Sequence, residues 1–163
     1  MNGFESALYQ LAHVFLVPVL VLVVLALAYS FIALGGFAVE AWQRRDRGYR
    51  SPLAAHHAAT GASSAELELW VMRQLEWLRI TARSAPMLGL VATMIPMGPA
   101  LLALTRNDAA SVGENLVVAF SSVILALISA SIAFLILTVR RRWLLQELVA
   151  IERAQSVQAG TTA

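Results

Sequence analysis

The sequence lacks two residue types altogether and is poor in charge. It contains no cysteine, which excludes disulfides, iron–sulfur clusters and thiol catalysis. Lysine is also missing, since all twelve basic residues are arginine. Charged residues make up 13% of the 163 residues, about half the usual fraction in a soluble domain. With 59% hydrophobic residues and a mean hydropathy of +0.71, the chain is expected to be an integral membrane protein.

Other classes of function are excluded on similar grounds. The net charge is +2, but no basic patch interleaves with aromatic residues, so nucleic-acid binding is not expected. No nucleophile–base pair and no cluster of metal ligands is present, so we expect neither an enzyme nor a metal or cofactor site. His56 and His57 are adjacent and therefore face apart, which favours an exposed pair over a metal site.

Three apolar stretches predict three transmembrane helices, at about 11–39, 84–105 and 115–139. The segment 40–83 lies between the first and second spans, and 140–163 follows the third. Too little chain remains outside the membrane for a separate soluble core, so residues 1–163 are expected to form a single all-α membrane domain.

The arginines predict the orientation of the spans. Seven lie between the first and second spans: Arg44, Arg45, Arg47, Arg50, Arg73, Arg79 and Arg83. Three more follow the third span directly: Arg140, Arg141 and Arg142. The positive-inside rule then places segments 40–83 and 140–163 in the cytoplasm, with the N-terminus and the loop 106–114 outside.

The segment before the second span has two parts. Residues 46–64 are rich in Gly, Ser and Ala and are expected to be a linker, while 65–83 has helical amphipathic spacing. This helix either lies on the membrane surface or extends the second span into the cytoplasm. The same pattern follows the third span, with Leu144, Leu148 and Ile151 on one stripe, which favours the extension for both helices.

Small residues form a stripe on the second and third spans. In the second span they are Gly89, Ala92, Thr93, Pro96, Ala100 and Ala103; in the third they are Ala119, Ser122, Ala126, Ser129 and Ala133. One interpretation is close helix packing. The other is a narrow pathway with Thr93, Ser122 and Ser129 as its polar points. Ser84 and Pro86 are expected to cap and begin the second helix.

Ionisable side chains are missing from the second and third spans. A proton or cation carrier normally needs such a group within the membrane. If this chain takes part in ion transport, the titrating group has to come from another chain.

Two motifs carry a resemblance to a known family. APMLGLVAT (85–93) resembles the Ala-Pro-x-Leu-Gly-Leu-x-Gly-Thr signature of the MotA/TolQ/ExbB proton-channel family, and VVAFSSVILAL (117–127) resembles that family's third-span motif. The segment MIPMGPALLAL (94–104) resembles small prokaryotic members of the family. The resemblance implies a homopentameric ring in the cytoplasmic (inner) membrane whose lumen is lined by the second and third spans. It also implies two copies of a single-span MotB/TolR/ExbD-like partner that carries an intramembrane Asp.

The resemblance also implies roles for particular residues. Thr93 matches the family's second-span threonine, whereas Val123 stands at its third-span threonine, with Ser122 beside it. Lumen shaping and helix packing are expected for a further group: Pro86, Gly89, Ala92, Pro96, Ala119 and Ala126. The expected function is a ring subunit of an ion-motive-force-driven motor or proton channel. The alternative is a non-conducting scaffold or an accessory subunit of a transporter.

Overall fold

The computed structural model describes residues 3–44, 53, 55 and 64–161 of the chain. Its long elements are three α-helices: α1 (Gly3–Gln43), α2 (Ser64–Thr105) and α3 (Ala109–Thr161). The expected all-α fold class is confirmed for these described ranges. Most of the predicted linker, with His56 and His57, lies outside them.

Each long helix contains one of the predicted spans and continues beyond it. The segments Val14–Gln43, Ala65–Thr105 and Ala109–Ala154 are long and apolar enough to cross a membrane. About 20 helical residues are enough to cross a hydrocarbon core of about 30 Å. The 42 residues of α2 and the 53 of α3 therefore cannot all lie within the hydrocarbon.

The second helix runs without interruption through the predicted start of its span. The segment 65–83 and the span 84–105 are one helix, which confirms that 65–83 continues the span; its location in the cytoplasm stays a prediction. The expectation that Ser84 caps a new helix is wrong, because this residue and Pro86 both lie inside α2. The reason is the register of the buried positions, which stay on one face at spacings of three or four residues with one gap of seven, or two turns: Leu67, Val71, Leu75, Leu78, Ala85, Gly89, Ala92 and Pro96.

The connection between α2 and α3 is shorter than the predicted loop 106–114. Only Arg106, Asn107 and Asp108 lie between the helices, because α3 already begins at Ala109. Asn107 has a φ of 56°, and the N–H groups of Asn107 and Asp108 donate to carbonyls in the last turn of α2, which is a Schellman ending. The Asp108 carboxylate accepts hydrogen bonds from Ser111 N and Oγ at 3.2 and 2.6 Å, so it caps α3.

One compact unit consists of Met1–Ile32 and Thr81–Ala133. Its interior is built from small side chains, chiefly the alanines at 85, 92, 100, 119, 126, 130 and 133. Its surface carries large apolar ones, among them Met87, Leu90, Met94, Phe120 and Ile124. An apolar surface over a small-residue interior suits a lipid environment, where close approach of helices replaces the hydrophobic effect.

A second compact unit consists of Ala33–Ile80 and Phe134–Ala163. Its interior is made of larger aliphatic side chains: Leu67, Val71, Leu75, Leu78, Ile136, Leu144 and Leu148. These positions confirm the apolar stripes that the sequence predicts for 65–83 and for the residues after the third span, although Ile151 is only half-buried. A buried carboxylate, Glu40, also belongs to this unit.

Candidate functional site

Helices α2 and α3 lie in close contact at Gly89. A Cβ atom placed on this glycine would lie 2.8 Å from the Cβ of Ala126 and 3.4 Å from Cγ2 of Val123. Real Cβ atoms do not come this close to another carbon, so the contact requires glycine. The small residues at 89 and 126 therefore pack the two helices together within one protomer.

Thr93 lies one turn after Gly89 on α2, and its side chain is partly exposed. Its hydroxyl donates a hydrogen bond to the carbonyl oxygen of Leu90, at 2.7 Å. A hydroxyl has one proton to donate and two lone pairs to accept with. While this bond is kept, Thr93 can accept a hydrogen bond from an incoming donor, and it can donate outward only after rotating away from Leu90.

Ser122 is buried, with 3% of its surface exposed. Its hydroxyl lies within hydrogen-bond distance of two backbone carbonyls of its own helix, those of Val118 at 2.8 Å and Ala119 at 2.9 Å. This arrangement satisfies the hydroxyl proton inside the protomer. A role for Ser122 in a proton pathway stays a prediction.

Ser129 is completely buried and faces α1. Ser30 Oγ donates to the backbone oxygen of Ser129 at 3.0 Å, and the two hydroxyl oxygens are 2.8 Å apart. The pair is a polar contact between helices, of the kind that holds transmembrane helices together. The pathway role of Ser129 likewise stays a prediction, and Ser30 is a residue that the sequence did not single out.

The prolines of α2 occupy different depths. Pro96 is buried, whereas Pro86 and Pro99 are half-buried. Each lacks an N–H and so removes the helical hydrogen bond to the carbonyl four residues before it. Ala92 and Ala119 are buried in the protomer. A role of Pro86, Pro96, Ala92 and Ala119 in shaping a lumen stays a prediction.

A group of four charged side chains lies at the end of α1, and the sequence did not predict it. Arg44 pairs with Glu147 at 2.6 Å and with Glu40 at 3.2 Å, and Arg140 pairs with Glu40 at 3.0 Å. The Arg44 guanidinium also lies 4.5 Å from the centre of a Trp143 ring. Two arginines and two glutamates sum to zero charge, so the group can be partly buried without a net charge.

The pKa of Arg44 reflects this group. Burial by itself would lower the pKa, but hydrogen bonds and the negative charges of Glu147 and then Glu40 outweigh burial and raise it above its usual value. Arg44 therefore stays charged throughout the physiological range. The Glu40–Arg44 pair has the i, i+4 spacing of an ion pair along one helix, whereas Arg140 and Glu147 reach it from α3.

Comparison with known proteins places the chain in a family. A model of the MotA/TolQ/ExbB proton channel family matches residues 46–153. The match covers well over half of the chain. The chain belongs to the MotA/TolQ/ExbB family. Neither the comparison with curated proteins nor that with solved structures gave a match.

Membership of the MotA/TolQ/ExbB family agrees with the three apolar helices, and together they identify a multi-pass membrane protein associated with a proton channel. The matched segment contains all of α2, including Thr93, and α3 as far as Arg153. It begins well before the motifs at 85–93 and 117–127 that carry the resemblance in the sequence. Members of this family work as oligomers with ExbD/TolR/MotB-type partners.

Proposed function

We propose that this chain is a ring-forming subunit of a proton-motive-force-driven motor in the cytoplasmic membrane of a prokaryote. In this proposal five copies surround two copies of a single-span partner, and proton flow between ring and partner drives movement of the partner. The family match supports the proton-channel part of the proposal. The observation that carries it is Thr93, a partly exposed hydroxyl in the middle of the span 84–105, because neither this span nor 115–139 contains an ionisable residue.

The hydrogen bonding of Thr93 supports a role beside a partner carboxyl group. Because its proton is held by the Leu90 carbonyl, the hydroxyl is ready to accept a hydrogen bond from a protonated carboxylic acid. After that acid loses its proton, Thr93 can rotate and donate to the carboxylate. A single hydroxyl can thus serve both protonation states of an intramembrane Asp on the partner.

A non-conducting scaffold is the second candidate. It is favoured by the burial of Ser122 and Ser129, whose hydroxyls are already hydrogen-bonded within the protomer. Val123, which stands at the family's third-span threonine, adds no hydroxyl. In the scaffold the small-residue stripes serve only helix packing, and Thr93 is one more packing residue.

Co-expression with a single-span protein encoded beside this chain tests the proposal. The expected result is a purified complex whose intact mass corresponds to five copies of the chain and two of the partner. A stable monomer or dimer in mild detergent would contradict the ring. A ring that binds the partner, but leaves proton flux in proteoliposomes at the level of empty vesicles, would favour the scaffold.

We further propose that the N-terminus and the α2–α3 connection face the outside and that 40–83 and 140–163 are cytoplasmic, as the arginine distribution suggests. The cysteine-free chain allows a direct test, because single cysteines can be placed at exposed sites in the first turn of α3 and in the N-terminal part of α2. A cysteine at Ala110 should react with an impermeant thiol reagent in intact cells, whereas one at Gln74 should react only after lysis. The opposite labelling pattern would invert the topology.

A further inference from the structure

The unit that contains Ala33–Ile80 and Phe134–Ala163 carries an open groove of about 840 Å³. Four arginines line it, one from α2 and three from α3: Arg79, Arg141, Arg142 and Arg153. All four side chains are exposed. No carboxylate lines the groove. The groove is therefore a concentrated site of positive charge.

These arginines differ from Arg44 and Arg140, the two arginines of the charged group described above. Arg44 and Arg140 form ion pairs with glutamates, whereas no guanidinium in the groove has a carboxylate partner within the described part of the chain. Four unpaired like charges at one site repel one another. An anion in the groove would remove that repulsion.

The same groove has an apolar wall. Phe134, Leu137, Leu145 and Val149 contribute to its lining, and Phe134 is 64% exposed. Phe134 and Leu137 belong to the predicted third span, and the arginine side chains begin two residues after its end at Val139. Along α3 the lining thus changes from membrane-depth apolar residues to cations within two helical turns.

A ligand that fits this lining needs an anionic head and an apolar tail. We propose that the groove binds an anionic phospholipid, with the phosphate at Arg79, Arg141 and Arg142 and an acyl chain along Phe134 and Leu137. Basic pockets between transmembrane helices at the membrane boundary are known to bind acidic headgroups. The apolar wall distinguishes a lipid from a soluble phosphate, and the net positive charge distinguishes an anionic lipid from a zwitterionic one. The proposal is independent of proton conduction by the ring.

Lipid retention by the purified full-length protein tests the proposal. Delipidated protein in mild detergent is titrated with phosphatidylglycerol or phosphatidylcholine, and the bound lipid is counted by native mass spectrometry. We expect phosphatidylglycerol to bind at least about tenfold more tightly than phosphatidylcholine. Because each arginine near a lipid surface is worth about 1 kcal/mol, the variant Arg141→Gln/Arg142→Gln should lose about tenfold to thirtyfold in affinity for phosphatidylglycerol.

The matched control removes the same charge elsewhere. Arg83→Gln/Arg106→Gln changes two exposed arginines that do not line the groove and should keep the wild-type preference. An equal loss of affinity for phosphatidylglycerol in this control would show that the effect comes from net charge alone, and it would contradict a lipid site in the groove. Competition by glycerol 3-phosphate as strong as that by the lipid would overturn the lipid assignment in favour of a soluble phosphate.

A cross-linking experiment with wild-type protein does not depend on any variant folding correctly. Phosphatidylglycerol that carries a photoreactive group in its acyl chain is incorporated into vesicles with the protein and irradiated. The expected adducts map to residues 134–137. Adducts spread evenly over the apolar surface would overturn the proposal. In a separate experiment, Gln146 is replaced by a photoreactive amino acid. Cross-linking of this residue to a second copy of the chain instead of to lipid would also overturn the proposal, because the groove would then be a protein interface.

Discussion

Replacement of Gly89 by alanine tests the close contact between α2 and α3. The new Cβ would lie 2.8 Å from the Ala126 Cβ, whereas carbons in contact keep about 3.5–4.0 Å, so the helices have to separate by about 0.7–1.2 Å or shift. Overpacking of this kind costs about 1–3 kcal/mol. Alanine regains about 1 kcal/mol of helix propensity over glycine. The expected net loss in the free energy of unfolding is therefore about 0–2 kcal/mol.

Gly35 offers the matched control on α1. A Cβ there meets nothing within 4 Å, so Gly35→Ala should stabilise the protein by up to about 1 kcal/mol. Both variants gain the same helix propensity, so the difference between them isolates the overpacking term of about 1–3 kcal/mol. The measurement is reversible unfolding in mixed micelles with increasing SDS, followed by circular dichroism.

The partner substitution makes the reasoning refutable. Ala126→Gly removes the nearest atom, so it should cost less in the Gly89→Ala background than in the wild type, which a double-mutant cycle measures. The reasoning fails if Gly89→Ala is as stable as Gly35→Ala. It also fails if the two substitutions at 89 and 126 are simply additive.

Three further predictions follow from hydrogen bonds in the structure. Thr93→Val should lower proton flux in partner-loaded proteoliposomes severalfold while assembly survives. Thr105→Val is the control and should leave the flux unchanged, although the Thr105 hydroxyl makes the same 2.7 Å bond to the carbonyl three residues back. Equal fluxes for both variants would contradict the role of Thr93. Ser30→Ala and Ser129→Ala should each cost about 0.6–1.7 kcal/mol in the SDS assay, with the double variant costing less than the sum, and additive costs would refute the shared bond. The pKa of Asp108 is lowered from its ordinary 3.8 by hydrogen bonds from the hydroxyl and the N–H of Ser111, so the cap stabilises the fold above pH 3.8 and this stabilisation is lost as the pH falls through the lower folded-state pKa. Asp108→Ala should remove this part of the pH dependence of stability in an acid titration. A titration identical to that of the wild type would rule out the cap as its source.

Much of the helical architecture was readable from the sequence. Apolar runs of more than 20 residues leave the backbone no alternative to a helix in lipid, so the spans at 11–39, 84–105 and 115–139 all lie within helices. The 3–4 spacing of small residues also predicted which faces of α2 and α3 are buried. The ends were less predictable. The cap by Asp108 depends on one residue's φ and one side chain's rotamer, and α3 therefore begins six residues before the predicted span.

The neighbours of each face were not readable from the sequence. Periodicity puts Thr93, Ser122 and Ser129 on small-residue faces but does not say which helix each face meets. Ser129 meets Ser30, which is 99 residues away, whereas Thr93 keeps its bond to its own backbone and stays partly exposed. Which of these three hydroxyls stays partly exposed could be decided only after the helices had been placed.

The charged group of Glu40, Arg44, Arg140 and Glu147 also combines a contact along one helix with contacts between residues far apart in the chain. Glu40 and Arg44 are four residues apart, so helix geometry alone brings them together, and the sequence contains that pair. Glu147 and Arg140 reach them from α3, across about 100 residues of chain. The sequence by itself determined the elements and their buried faces, because these depend on spacings of three or four residues along one helix. Only the tertiary structure decided which faces meet, because that depends on contacts between residues far apart in the chain.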